Sequence, residues 1–330
     1  MFFISFNFHN SNLRLINYSI RGIKELCHLC GNKKSGVILL DDKKALVIYG
    51  DARGRYIAKT LKEKGYETEV YPGDPSAASD KEIKTKKEAL FKRIPEYELI
   101  VLPLPMSRDG KTILSDKYSF EFSSFAFALC KGQTVAGGMI NEETEKLLEK
   151  KGVRVIDYYK SEALQIKNAA TTAEAAVALG IEITKKALFD SKCLVIGMGR
   201  IGRILSNKLA LLGADVTVTA RKEKDIVLAE VSGYKTLYTS NAAKAAESAD
   251  IIFNTVPSLI LDSALLSRVK NTATVIDLAS KPGGTDFDFA SKIGIKTIHA
   301  LALPGIYSPE TAAKHIAETI IDLYGGIKTN

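Results

Sequence analysis

From Ala45 onward the chain alternates short β-branched apolar runs with stretches whose apolar residues recur every three or four positions. The runs ALVIY (45–49), ETEVY (67–71), ELIVL (98–102), QTVAG (133–137) and VRVI (153–156) read as strands. Between them, Ile57 with Leu61, and the stretch from Glu142 to Lys151, read as helices. Such alternation implies βαβ units around a parallel sheet, so residues 43–164 are expected to form a small flavodoxin-like α/β domain. A longer stripe, Ile166, Ala170, Ala173, Val177, Ile181, Thr184 and Leu188, predicts one interdomain helix over 165–190. Six further runs follow: CLVIG (193–197), DVTVT (215–219), YKTLY (234–238), DIIFNTV (250–256), ATVIDL (273–278) and IKTIHA (295–300). Their number and spacing predict a doubly wound Rossmann domain over 191–306. Ser308-Pro309-Glu310-Thr311 opens a last helix within 307–330, with Ser as its cap and Pro at its first position. That helix is expected to return to the first domain. Residues 1–42 hold no period and are expected to be an appendage.

Composition narrows the class. At 330 residues the chain is long enough for two cores, and 46% hydrophobic with 25% charged residues excludes disordered, collagen-like and coiled-coil chains. The net charge of +8 favours anionic partners. Lys and Arg are dispersed along the chain, which points to small anions and away from nucleic acid. No apolar run reaches the roughly 18 residues of a membrane span. The first residues lack a basic start and are interrupted by Asn7, His9, Asn10 and Asn12, so a secretory signal is not expected. Four cysteines make no disulfide framework at this length, and a cytoplasmic location is the expectation. Cys27-His28-Leu29-Cys30 has the spacing of half a zinc site with no second half to complete it, so no metal is expected.

The first chemical signal is Gly197-Met198-Gly199-Arg200-Ile201-Gly202, placed between a β-branched strand and a helix with an apolar face of Ile201, Ile204, Leu205, Leu209 and Leu212. In that context Gly197 suits the tight turn, Gly199 the approach of backbone to a pyrophosphate, and Gly202 the packing of helix on strand. The helix N-terminus offers free N–H groups to the phosphates. An NAD-specific domain places an acidic residue at the end of the second strand, but here the chain reads Thr219-Ala220-Arg221-Lys222. The two cations suit a 2′-phosphate, so NADP is expected over NAD. Thr255, Pro257 and Ser258, after the fourth strand, are expected beside the nicotinamide, with a helix cap the alternative for Ser258.

The arrangement of two domains and a long linking helix resembles the D-2-hydroxyacid dehydrogenases, but their Arg and His motifs are missing. Seven segments resemble another family, the A subunits of dipicolinate synthase: GDARGRYIAKTL (50–61), LPLPMSRDGKTI (102–113), NAATTAEAA (168–176), VIGMGRIGR (195–203), NTVPSLILD (254–262), IDLASKPGGTDF (276–287) and ALPGIYSPETA (302–312). The resemblance covers about residues 44–326. Members generally carry Pro and Gly where this chain has Thr171 and Ala175, and a basic residue where it has Glu310. The resemblance implies NADP-dependent oxidation of a dihydrodipicolinate-type ring to dipicolinate, in the mother cell of a spore former, beside the synthase's flavoprotein-like B subunit. Homo-oligomerisation is a further possibility.

A dicarboxylate substrate calls for cations at the carboxyl ends of strands, where α/β proteins bind ligands. Arg53, Arg108 and Lys281 each follow a strand and are the substrate-binding candidates, the arginines through bidentate contacts. His299 at a strand end and Glu174 on the linking helix are the acid/base candidates. Gly305 either admits backbone to the substrate or makes a turn. Two alternatives remain at this stage: an NADP-dependent dehydrogenase of another small amino or hydroxy acid, and a non-catalytic dinucleotide-binding regulatory subunit.

Overall fold

The computed structural model describes residues 43–48, 50–71, 89–113, 120–184 and 186–326. The expected appendage and Cys27-His28-Leu29-Cys30 lie outside the described residues.

The first domain is a parallel sheet of β1 (Lys44–Ile48), β2 (Glu67–Tyr71), β3 (Leu99–Val101), β6 (Thr134–Gly137) and β7 (Arg154–Asp157), in the order β2-β1-β3-β6-β7. This is the flavodoxin-like order. Both faces of the sheet are covered, which is why its central strands β1 and β3 read as nearly unbroken apolar runs. Along β1, Ala45 and Val47 face α1 (Arg53–Glu63), while Leu46 and Ile48 face a cluster containing Phe120, Phe125 and Leu148. That second cluster includes a small antiparallel hairpin, β4 (Thr112–Ile113) with β5 (Phe120–Glu121), which no period in the sequence signalled. Two more helices, α2 (Phe122–Ala128) and α3 (Glu142–Lys150), complete this layer.

The linking helix α4 runs Glu162–Ile183, shorter than the stripe predicted. It stops where the Thr184 hydroxyl bonds to the Gly180 carbonyl and the chain turns extended. Leu188 falls in a separate short turn. Ile166 and Ile181, expected in the buried stripe, are exposed. The buried positions are mostly small, Ala169, Ala173, Ala175, Ala176 and Gly180 among them. Small residues let α4 lie close against neighbours on more than one side, so no single wide apolar stripe is needed. At Thr171 and Thr172 both hydroxyls donate to the Asn168 carbonyl, at 2.9 and 2.7 Å.

The second domain orders its strands β10-β9-β8-β11-β12-β13, the doubly wound arrangement. They are β8 (Lys192–Ile196), β9 (Asp215–Ala220), β10 (Lys235–Tyr238), β11 (Ile251–Asn254), β12 (Thr274–Asp277) and β13 (Lys296–His299). The helix after β8 is α5 (Arg200–Leu211), and α6 (Glu223–Val231) follows β9. α4 and α5 lie side by side and parallel, with the ion pairs Glu162–Arg200 and Glu174–Lys208 spanning them.

Three short helices follow, α7 (Ala242–Ala246), α8 (Ser263–Leu266) and α9 (Phe287–Lys292). After β13 the chain forms α10 (Leu303–Tyr307), then α11 (Pro309–Tyr324) crosses back onto the first domain. There Ala313, Ile316, Ala317 and Ile320 join the core under β1 and α1. Glu310 reaches Lys59 of α1 at 3.6 Å, and Arg154 donates to the Leu323 and Tyr324 carbonyls. One detail departs from expectation: Ser308 precedes α11 without capping it, its hydroxyl buried and unpartnered.

Candidate functional site

The nucleotide loop is built from close approaches that only glycine permits. Gly197 has φ +104°, and a Cβ there would come within 2.4 Å of the Thr255 hydroxyl. A Cβ on Gly202 would meet the Gly197 carbonyl at 2.0 Å. Gly199 differs: nothing lies within 4 Å of its Cβ direction, so the space above it is open. The glycines therefore seat the turn on β11 and leave room over the N-terminus of α5, where a pyrophosphate would meet free N–H groups. Met198 is buried, and its carbonyl accepts from Arg203. Beyond β9, Arg221 and Lys222 are exposed, and no side-chain partner holds either among the described residues. Lys222 stands directly before α6. The end of β9 thus carries Ala220 and two cations where an acidic residue could otherwise stand.

Beside the loop, the 254–258 segment interlocks with 279–285 through one buried carboxylate that sequence reasoning missed. Asp277 is fully buried at the end of β12. Its Oδ1 accepts from Asn254 Nδ2 and Ala279 N, both at 3.0 Å, and its Oδ2 accepts from Gly284 N at 2.8 Å and Thr285 Oγ1 at 2.7 Å. The available signal was an acid closing the apolar strand TVID just before a glycine turn. Thr255 donates to the Ile196 carbonyl, which ties the same segment to β8. Pro257 and Ser258 are exposed in that loop, and Ser258 caps nothing, because Asp262 caps α8.

The substrate candidates separate. Lys281 and Arg108 are exposed in the loops that follow β12 and β3, and no side-chain partner engages either among the described residues. Arg53 is nearly buried, with Nε and Nη2 bonded to Asp51 and Nη2 also to the Leu104 carbonyl. Burial works against its charge, but Asp51 outweighs this and its pKa is raised. The bidentate contact expected of Arg53 is thus already spent on Asp51, leaving Nη1 alone for a ligand. Gly305 lies against that pair: a Cβ there would be 3.0 Å from Asp51 Oδ2.

The acid/base candidates separate as well. His299 is half-buried, stacked on Phe287 with centroids 5.1 Å apart, its Nε2 2.9 Å from the Ala279 carbonyl. A proton on Nε2 satisfies that carbonyl and leaves Nδ1 as the acceptor. Glu174 does not reach the site. It is exposed and paired with Lys208 at 3.0 Å, eight residues and about 12 Å along α5 from its N-terminus. Its spacing on the helix placed it facing α5, away from the cleft.

Between the domains, a cavity of about 230 Å³ is lined on one side by Gly199, Arg200, Ile201 and Thr255. Tyr159, Gln165, Asn168 and Ala169 form the other side. Arg200, the first residue of α5, is bonded across the domains to Glu162. Burial raises the Tyr159 pKa, while the positive charges of Arg200 and Arg53 pull against it. Neither Tyr159 nor Gln165 was singled out from the sequence, since only folding brings them opposite the glycine loop. No helix among the described residues is long and apolar enough to cross a membrane, and no group there of three or more His, Cys, Asp or Glu could hold a metal.

Comparison with known proteins agrees with this architecture. Residues 44–159 match the family model for the N-terminal domain of the dipicolinate synthase A subunit, and residues 192–281 match "NADP oxidoreductase coenzyme F420-dependent". The A subunit of dipicolinate synthase from Bacillus subtilis is 32% identical over 194 residues, an alignment spanning 59% of this chain and 65% of the relative's length. The crystal structure of the corresponding A subunit from Bacillus halodurans superposes with a TM-score of 0.72 at 26% identity, covering 86% of this chain and 97% of that one. A transhydrogenase from Sinorhizobium meliloti shares the fold, with a TM-score of 0.61 at 16% identity, covering 86% and 93% of the two chains. The second domain is thus an oxidoreductase-type domain for a nicotinamide dinucleotide, and across both domains the chain is similar to the A subunits of dipicolinate synthase.

Proposed function

We propose that this chain is the NADP-dependent subunit of a dipicolinate synthase, oxidising a dihydrodipicolinate-type ring to dipicolinate beside a second, flavoprotein-like subunit. The observation that carries the reading is the cleft itself, an open glycine loop facing a polar wall under the influence of two arginines. Gly197, Met198, Gly199, Arg200, Ile201 and Gly202 would hold the pyrophosphate, Arg221 and Lys222 the 2′-phosphate, and Thr255, Pro257 and Ser258 the nicotinamide side. Bound NADP⁺ supplies the hydride acceptor.

The protein's own tasks are then modest. Loss of one hydride and one proton makes the ring an aromatic pyridine, so aromatisation supplies driving force and no activated nucleophile is required. The residues need to orient two carboxylates, exclude water from the hydride path and accept one proton. Arg53 through Nη1, with Arg108 and Lys281, would neutralise the dicarboxylate, and the free Nδ1 of His299 is the proton acceptor of this scheme. By likeness to a sporulation enzyme, the setting is the cytoplasm of a spore-forming cell.

The test is a substrate panel. Purified protein with NADP⁺, alone and with the second subunit, is offered freshly generated dihydrodipicolinate and a set of small amino and hydroxy acids. Turnover of the ring substrate is expected; turnover confined to the amino or hydroxy acids would reject the proposal.

A further inference from the structure

The polar wall of the cleft has a direction built into it. Asn168 Nδ2 donates to the Tyr159 hydroxyl across 3.5 Å. A phenolic oxygen that accepts this bond keeps its own hydrogen for another partner, and no protein acceptor takes it among the described residues. Both residues line the cavity opposite Gly199 and Thr255, so that hydrogen is available to whatever fills it. The Asn168 backbone is anchored within α4, its main-chain carbonyl also receiving the Thr171 and Thr172 hydroxyls one turn further along. Gln165 steadies the backbone on the other side by donating to the Tyr159 carbonyl at 2.9 Å.

The free donor sets the kind of ligand, one that offers an acceptor oxygen. Arg200 and Arg53 both act on Tyr159 as positive charges, one from each domain. An oxygen anion entering the cavity would meet the Tyr159 O–H as a donor, with the Glu162-paired Arg200 guanidinium on the facing wall. Burial keeps the phenol neutral, as a donor must be.

We propose that Tyr159, oriented by Asn168, is the anchor for a substrate carboxylate and a determinant of specificity for anionic substrates. The assignment rests on the dipicolinate reading for the identity of that carboxylate, but its physical basis is the donor geometry alone. A hydrogen bond to a charged acceptor is among the stronger ones, so its loss should be plainly measurable.

The experiment measures binding of pyridine-2,6-dicarboxylate, and of lactate and alanine as other carboxylates, to the NADP⁺-loaded protein by calorimetry. NADP⁺ affinity is followed separately by fluorescence. Tyr159→Phe keeps the ring and should weaken dicarboxylate binding by about tenfold or more, with NADP⁺ affinity unchanged. Asn168→Ala should weaken it less, because the hydroxyl remains but loses its orientation; intact NADP⁺ binding certifies that each variant is folded. Unaltered dicarboxylate affinity in Tyr159→Phe would overturn the anchor and leave the dipicolinate reading standing. A loss confined to NADP⁺ affinity would also overturn it, by assigning the pair to the cofactor. Tyr159-dependent binding of lactate or alanine with none of the pyridine dicarboxylate would uphold the anchor and reject the dipicolinate reading. No carboxylate bound by the wild type would reject both.

Discussion

Arg200 at the start of α5 donates two hydrogen bonds, at 2.7 and 2.5 Å, to Glu162 at the start of α4, so an ion pair ties the two domains at the mouth of the cleft. The pair is largely exposed, and such pairs contribute little to stability. Its effect falls on ligands, because the same guanidinium stands where a pyrophosphate would arrive. Glu162→Gln should therefore leave the thermal midpoint nearly unchanged and tighten NADP⁺ binding about threefold, read by fluorescence titration. Weaker binding would mean that Glu162 organises the site instead of competing for Arg200.

Two glycines of one loop should respond in opposite ways. Gly199→Val meets open space, so the fold should survive while the pyrophosphate is blocked, with NADP⁺ affinity falling about a hundredfold or more. Gly202→Val drives a side chain into the Gly197 carbonyl and should lower the melting temperature as well as abolish binding. Thermal melts with and without NADP⁺ separate the two.

Cofactor choice should sit on two side chains. Removing Arg221 and Lys222 together is expected to weaken NADP⁺ binding about tenfold or more and to leave NAD⁺ binding nearly as it was. Equal loss for both cofactors would show that these cations do not read the 2′-phosphate.

Asp277→Asn would place an amide against donors that now converge on two carboxylate oxygens. With both oxygens each accepting two bonds in a buried site, the substitution should cost about 2–3 kcal/mol, measured by denaturant unfolding. Loss of cofactor binding should accompany it, since Asp277 joins the two loops beside the nicotinamide position.

The central strands were legible because they are buried on both faces, and the edge strands because each falls between helical stretches. DVTVT and IKTIHA could hardly be anything else between helices, and they became β9 and β13. The glycine loop was legible for a related reason, since close approaches at Gly197 and Gly202 leave no room for a side chain. What the sequence concealed is tertiary. Glu174 and Asn168 lie on the same helix, yet one turns towards Lys208 and the other towards the cleft, a difference decided by how α4 meets its neighbours. The exposed Ile166 and Ile181 mislead for the same reason, because buried alanines set the true contact face. Arg53 was visible as a cation after a strand, but its partner Asp51, two residues earlier, turned most of its guanidinium inward.

The most direct measurement follows NADPH and the pyridine dicarboxylate together, in one cuvette, after mixing NADP⁺-loaded protein with freshly generated dihydrodipicolinate. Above the protein-free background, both are expected to appear at the same rate and in equal amounts. Pyridine dicarboxylate formed at the protein-free rate with no NADPH would contradict that expectation.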